Sequence, residues 1–220
     1  MGATVITGAN RGIGLELCRQ LKAKGHDVYG LCRKPSAELK ELGITVIDGV
    51  DVTDEVSLKK AVTAVGGKTV ELLINNAGIL QRNTLENFDF PSISQQFEVN
   101  SMAPLRVVAA FRPFLKAGSK IANITSRMGS IADNGSGSSY GYRMSKAALN
   151  AATKSLALDL KPQNIAVCVL HPGFVKTDMT AGNGNLMPSE SASLLIDRME
   201  QLSLDNSGTF WHCNGEELPW

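Results

Sequence analysis

The chain reads as an α/β protein, doubly wound, with a mostly parallel seven-stranded sheet and helices on both faces, and three observations predict it. Short β-branched runs alternate with longer helical patterns along nearly the whole length, as a series of βαβ units requires. The strand candidates are almost unbroken apolar runs, as in Leu72-Leu73-Ile74 and Ala166-Val167-Cys168-Val169-Leu170; burial on both faces demands that pattern, and a sheet wetted on one side does not. A glycine-rich turn joins the first strand to the first helix, the place where open α/β sheets receive ligands.

In order, the first strand is Ala3–Thr7 and the first helix covers residues 12–24. Further strands are expected at 27–32, 44–48, 70–75, 120–124, 166–170 and 209–213, with helices or loops between them. At 220 residues and 43% hydrophobic, the chain suffices for one well-buried core, so one domain over 1–220 is expected. Twenty-two Lys and Arg against 21 Asp and Glu give a net charge of +1, with the signs interspersed. That balance offers no electrostatic case for nucleic acid or for an anionic membrane.

Cys18, Cys32, Cys168 and Cys213 are scattered through regular structure without paired spacing. They read as buried free thiols of a reducing compartment. The histidines His26, His171 and His212 form no ligand cluster with them, so no metal is expected. No apolar run reaches the ~20 residues of a membrane span, and the N-terminus lacks the zones of a secretion signal. A soluble cytoplasmic protein is the expectation.

Two local patterns carry chemistry. In Thr7-Gly8-Ala9-Asn10-Arg11-Gly12-Ile13-Gly14 the glycines allow a tight turn, and the free N–H groups and dipole of the following helix can receive a pyrophosphate. In Tyr142-Arg143-Met144-Ser145-Lys146 the tyrosine and lysine are four apart on a helix expected over Tyr140–Leu160, so they share a face. A phenol's pKa near 10 makes it a poor acid at neutral pH; an adjacent ammonium is expected to lower it and fit it for proton transfer. Tyr140 is no substitute, because Met144 stands four residues beyond it.

The Gly-x-x-x-Gly-x-Gly spacing resembles the short-chain dehydrogenase/reductase family, and later landmarks follow in that family's order. Asp51-Val52 comes after the third strand, Asn75-Asn76-Ala77-Gly78 after the fourth, then Asn100, Ser126, Tyr142 and Lys146, and Pro172-Gly173 after the sixth. The resemblance spans essentially the whole chain. Its short length and C-terminal segment resemble the C-factor and sniffer-type members most. Ser126 and Tyr142 are 16 residues apart, slightly more than is common in the family.

The resemblance implies a Rossmann-type fold and hydride transfer to or from a small-molecule carbonyl substrate, a ketone or aldehyde. Tyr142 becomes the general acid/base, Lys146 its partner and the ribose ligand, Ser126 the holder of the carbonyl oxygen, and Asn100 the support of a water chain. Cofactor contacts fall to Gly8, Asn10, Arg11, Gly12, Ile13, Gly14, Asp51, Val52, Asn76, Ala77, Gly78, Pro172, Gly173, Val175 and Thr177.

At the end of the second strand, where an NAD-binding chain presents a carboxylate, this one has Cys32-Arg33. A guanidinium can hold a 2′-phosphate, so Arg33, with Arg11 and Lys34 and no acid, is expected to select NADP(H). The substrate lining is expected from residues 80–83, 128–139 and 174–187, as an open site of broad tolerance. His171, at a strand end before a proline, is assigned no role. A homodimer through the helices around 92–115 and 140–160 follows by analogy with the family. The alternative is an NADP(H)-binding sensor or signalling protein with little or no turnover.

Overall fold

Neighbouring side chains of a strand face opposite sides of a sheet, and the core divides on that alternation. Val5, Leu73, Ile121 and Val167 belong to one buried cluster. Their neighbours Ile6, Ile74, Ala122 and Cys168 belong to another. The computed structural model describes residues 2–220. Its strands are β1 (Ala3–Thr7), β2 (Asp27–Leu31), β3 (Thr45–Ile47), β4 (Val70–Asn75), β5 (Lys120–Ile124), β6 (Ala166–His171) and β7 (Phe210–His212). They form one sheet in the order β3-β2-β1-β4-β5-β6-β7. Every pairing is parallel, so the expected mostly parallel sheet is wholly so.

Helices α1 (Gly12–Ala23), α2 (Ala37–Glu41) and α7 (Pro188–Gln201) cover one face, with Leu17, Leu21, Leu39, Leu195 and Met199 in its cluster. Helices α3 (Glu55–Val65), α5 (Ala103–Phe111) and α6 (Tyr140–Leu160) cover the other through Leu58, Val65, Val107, Phe111 and Leu160. The short α4 (Phe90–Phe97) packs on α6, and α1 packs on α7. Strand order reverses between β1 and β4, and at such a switch the loops leaving the carboxyl ends part and open a crevice.

Helix starts differ in how they are capped, and α1, like α6, has no side-chain cap. Ser36 caps α2, Asp54 caps α3 and Asp89 caps α4, each side chain accepting from an early backbone N–H. Arg11, at the start of α1, provides no such cap. Its first N–H groups are left without a side-chain acceptor.

The helix expected around 92–115 comes in pieces. Between α4 and α5 the chain makes a π-helical turn, Glu98–Met102, and α5 ends in a 3-10 turn, Arg112–Phe114. Pro104 has no N–H to give the carbonyl of Asn100 four residues back. The turn widens, and the N–H of Ala103 reaches Glu98, five residues back. All four cysteines are free and buried. Among the described residues no helix is long and apolar enough to cross a membrane.

Candidate active site

A cleft of about 810 Å³ opens at the carboxyl ends of the strands and runs from the glycine turn to Tyr142 and Lys146. Its floor at the turn is set by close backbone approach. Gly8 has φ +67°, and a Cβ there would meet Ala77 Cα at 2.9 Å. A Cβ on Gly14 would lie 2.2 Å from the carbonyl oxygen of Gly8. Asn76 staples the turn to the end of β4, its Nδ2 donating to the carbonyls of Thr7 at 3.0 Å and Gly8 at 3.1 Å. The Thr7 hydroxyl accepts from the N–H groups of Asn76 and Ala77, both at 3.1 Å. Gly12, Ile13 and Gly14 line the cleft at the uncapped start of α1. Small residues, free N–H groups and the helix dipole make a cradle for an anion, and this donor set fits a dinucleotide's pyrophosphate.

Asn10 and Arg11 of the turn, and beyond it Arg33, Asp51, Val52, Asn76, Ala77 and Gly78, all stand on the wall. Asp51 accepts from the N–H of Thr53 at 2.9 Å and its hydroxyl at 2.7 Å. Those bonds hold its carboxyl below the usual range, with Arg33 adding a smaller pull. The basic trio differs from expectation. Arg33 is on the wall, whereas Lys34 is not. Arg11 Nη1 pairs across the mouth with Asp178 Oδ2 at 2.8 Å. Nor is the wall free of acid, since Glu38 shares it with Arg33. Glu38 lies in the first turn of α2, which Ser36 caps five residues after the end of β2.

At the other end, Tyr142 and Lys146 line the cleft from α6 and are buried. Lys146 Nζ donates to the carbonyl of Ile124, at the end of β5, at 2.9 Å, and lies 5.9 Å from the centre of the Tyr142 ring. Burial pushes the Tyr142 phenol up to about 12, against a downward pull from the Ser126 hydroxyl. Burial also pushes the Lys146 amine down to about 8. The expected lowering of the tyrosine by the lysine is therefore reversed, because desolvation of the phenolate dominates.

Asn100 and Ser126 stand just behind the cleft wall, both buried. Asn100 exchanges two hydrogen bonds with the backbone of Ile79, each 2.9 Å, and its Nδ2 also donates to Ser145 Oγ at 3.0 Å. Ser145 Oγ donates to the carbonyl of Tyr142 at 2.9 Å. Asn100 thus ties the segment after β4 to the helix that carries Tyr142. Of the later turn, Pro172 and Thr177 line the cleft. Gly173 packs against Leu186, and Val175 is buried and bridged to that same residue.

The structure adds wall residues that sequence reasoning missed: Ile79, Gln95, Glu98, Val99 and Pro188. Three of them come from α4 and the π-helical turn, for which Pro104 is the one signal in the sequence. His171 is largely buried with Nδ1 unpartnered, and burial holds it neutral, down to about 3.

The short chain dehydrogenase family model matches residues 3–186. The chain is 37% identical over 226 residues to the 1-hydroxy-2-glutathionyl-2-methyl-3-butene dehydrogenase of Rhodococcus sp. (strain AD45), covering all of both chains. Among solved structures it is similar to the NADPH-bound carbonyl reductase from chicken fatty liver, with TM-score 0.92 and 33% identity over 100% of this chain and 99% of that one. The carbonyl reductase Sniffer of D. melanogaster gives TM-score 0.93 and 30% identity, with both chains fully covered. An uncapped helix terminus at one end of a cleft, a Tyr/Lys pair at the other, and relatives matching from end to end place this chain in the short-chain dehydrogenase family of oxidoreductases.

Proposed function

We propose that the chain is an NADP(H)-dependent oxidoreductase that reduces a small ketone or aldehyde, or oxidises the corresponding alcohol, with Tyr142 as general acid/base. The observation that carries it is the pairing of the Tyr142 phenol and the Lys146 amine at one end of a cleft whose other end is an anion cradle, with the Ser126 hydroxyl behind the wall in hydrogen-bond reach of the phenol. The bound cofactor would lie along Gly8–Gly14, Arg33, Asp51, Val52 and Asn76–Gly78, with its nicotinamide near Pro172 and Thr177, and would supply or accept the hydride.

In the reductive direction charge grows on the carbonyl oxygen, and a positioned acid must meet it. Tyr142 donates its proton there, and Ser126 holds the same oxygen by hydrogen bond. A phenol pushed up to about 12 stays protonated at neutral pH and is a ready donor. Lys146, down to about 8, is still mostly charged at neutral pH, so its ammonium offsets the phenolate left behind. Asn100, held by Ile79 and Ser145 behind the acid, is placed to support a water chain that returns the proton.

Preference for NADP(H) rests on Arg33 at the strand end where an NAD-binding chain carries an acid. The chicken relative, bound to NADPH, is consistent with it. The Rhodococcus relative is named for the oxidation of a hydroxy compound, the same chemistry in the other direction.

The test is NADPH oxidation with a panel of ketones, aldehydes and quinones, run on the native chain and on Tyr142→Phe. Turnover in the native protein should fall by about a thousandfold in the variant, with NADPH binding retained. Tight NADPH binding without turnover on any substrate would favour the sensor instead, and turnover retained by Tyr142→Phe would move the acid elsewhere.

A further inference from the structure

One turn beyond Lys146 on α6 lies Asn150, a buried amide that the reaction scheme does not use. Its Oδ1 accepts from the Thr125 hydroxyl at 2.7 Å, and its Nδ2 donates to the carbonyl of Gly129 at 3.4 Å. Thr125 immediately precedes Ser126, and Gly129 closes the 3-10 turn that Ser126 begins. One side chain therefore grips the segment on both sides of the serine. The turn also lies directly on the helix backbone. A Cβ on Gly129 would fall 2.8 Å from the carbonyl carbon of Lys146 and 2.9 Å from its Cβ, closer than any side chain permits. Within the turn, the hydroxyl of Ser126 accepts from the N–H of Met128 at 3.1 Å, and the N–H of Gly129 donates to the carbonyl of Ser126 at 2.8 Å.

A second set of contacts holds the far end of the same loop. The carbonyl of Trp220 accepts from Ser130, Ile131 and Ala132, and Arg127 pairs with Asp133 and Glu216. Those ion pairs are partly exposed and act beyond the serine. Asn150 alone reaches both of its flanks from the helix that carries Tyr142 and Lys146.

We propose that Asn150 is a positioning residue: it fixes Ser126 against Tyr142 by tying Thr125 and Gly129 to α6, so that the serine and tyrosine meet one carbonyl oxygen together. Its effect on turnover rests on the reductase reading above. Its effect on the Ser126 turn does not. A buried amide with both functions engaged loses its partners outright when truncated, with little water to replace them.

Two variants test this in the full-length protein. Asn150→Ala removes the brace. Thr125→Val keeps shape and volume but deletes one of its two bonds, and remains informative if the alanine variant folds poorly. The expected result is a fall in kcat of about ten- to hundredfold with an unchanged NADPH Kd, and a larger primary isotope effect with deuterated NADPH, since misplacing a reacting group slows the chemical step. The double variant should be no worse than Asn150→Ala, because both act through one network.

Independently of turnover, hydrogen exchange should accelerate at residues 126–130 while the amides of α6 around Tyr142 stay protected. Unchanged exchange in that turn would overturn the proposal. So would an unchanged kcat per folded molecule in a native protein that turns over. A native protein that binds NADPH without turnover would sink the reductase reading and leave the exchange result to decide this one.

Discussion

The two ends of the cleft are built on opposite electrostatic terms. At the end that holds the Tyr/Lys pair, all four of Tyr142, Lys146, Asn100 and Ser145 are buried; Asn100, Ser145 and the carbonyl of Tyr142 are joined by hydrogen bonds of 3.0 and 2.9 Å, and Lys146 is held by the carbonyl of Ile124 at 2.9 Å. At the mouth beside the glycine turn the groups are charged and wet: the side chains of Arg11 and Asp178 are 70% and 77% exposed. Burial moves pKa values by units and fixes geometry before any ligand arrives. Exposed charges are screened, hold one another weakly, and rearrange at little cost. Under the proposed function, the buried end is where the chemistry would be set, and the exposed end is where the choice of nucleotide could change without disturbing the fold.

Substitutions at each end sharpen that contrast. The largest effect is expected from Arg33→Asp, which replaces the proposed phosphate ligand by a repelling carboxylate. The NADPH/NADH ratio of kcat/KM should fall by about a hundredfold and invert. An unchanged ratio in steady-state kinetics would remove Arg33 from the phosphate site and leave the choice to other residues.

Next comes Lys146→Met. The lysine's folded-state value of about 8 lies below the ordinary 10.5, so the unfolded chain binds more protons between those limits and stability rises with pH across that window. Below it, burial of the charge costs about 3 kcal/mol. The methionine variant loses the bond to Ile124 but should still gain about 2 kcal/mol at pH 7 while losing activity. In urea melts the gain should shrink toward zero near pH 10. A variant less stable than the native chain at pH 7 would mean that the ammonium is better compensated than its surroundings suggest.

The smallest effect is expected from Arg11→Ala or Asp178→Asn. The pair is exposed, so NADPH affinity should change by only about two- to threefold, and less at high salt. A loss of tenfold or more in titrations of NADPH fluorescence would show that the exposed end is as rigidly organised as the buried one, and the contrast would fail.

What the sequence made legible divides along similar lines. β4 and β5 agree with the expected bounds to the residue, because each is an apolar run closed off by turn formers such as Gly66-Gly67 and Gly118-Ser119. The glycine turn and the Tyr/Lys pair were readable because their chemistry depends on short fixed spacings within one element. Contacts between distant segments were not. Arg11 and Asp178 are 167 residues apart, and no local pattern foretells their pairing. Glu38 reaches the wall through the orientation of α2, and Asn150 becomes informative only when Thr125 and Gly129 stand beside it. The π-helical turn is intermediate: Pro104 forbids a regular bond to Asn100, but only packing decides whether the chain answers with a kink, a break or an extra residue.

The packing of α1 on α7 carries a kinetic consequence. Gln20 of α1 donates to the carbonyl of Ser189, 169 residues away, and Lys24 pairs with Glu200. Closing so long a loop sacrifices chain entropy that only later packing returns. The first βαβ unit can form from local contacts, yet the lip facing its helix terminus comes from the segment just before α7 and is in place only when that long closure is complete. Ligand affinity is thus acquired late in folding, and a bound nucleotide would stabilise the finished protein by mass action without serving as a template for its first half.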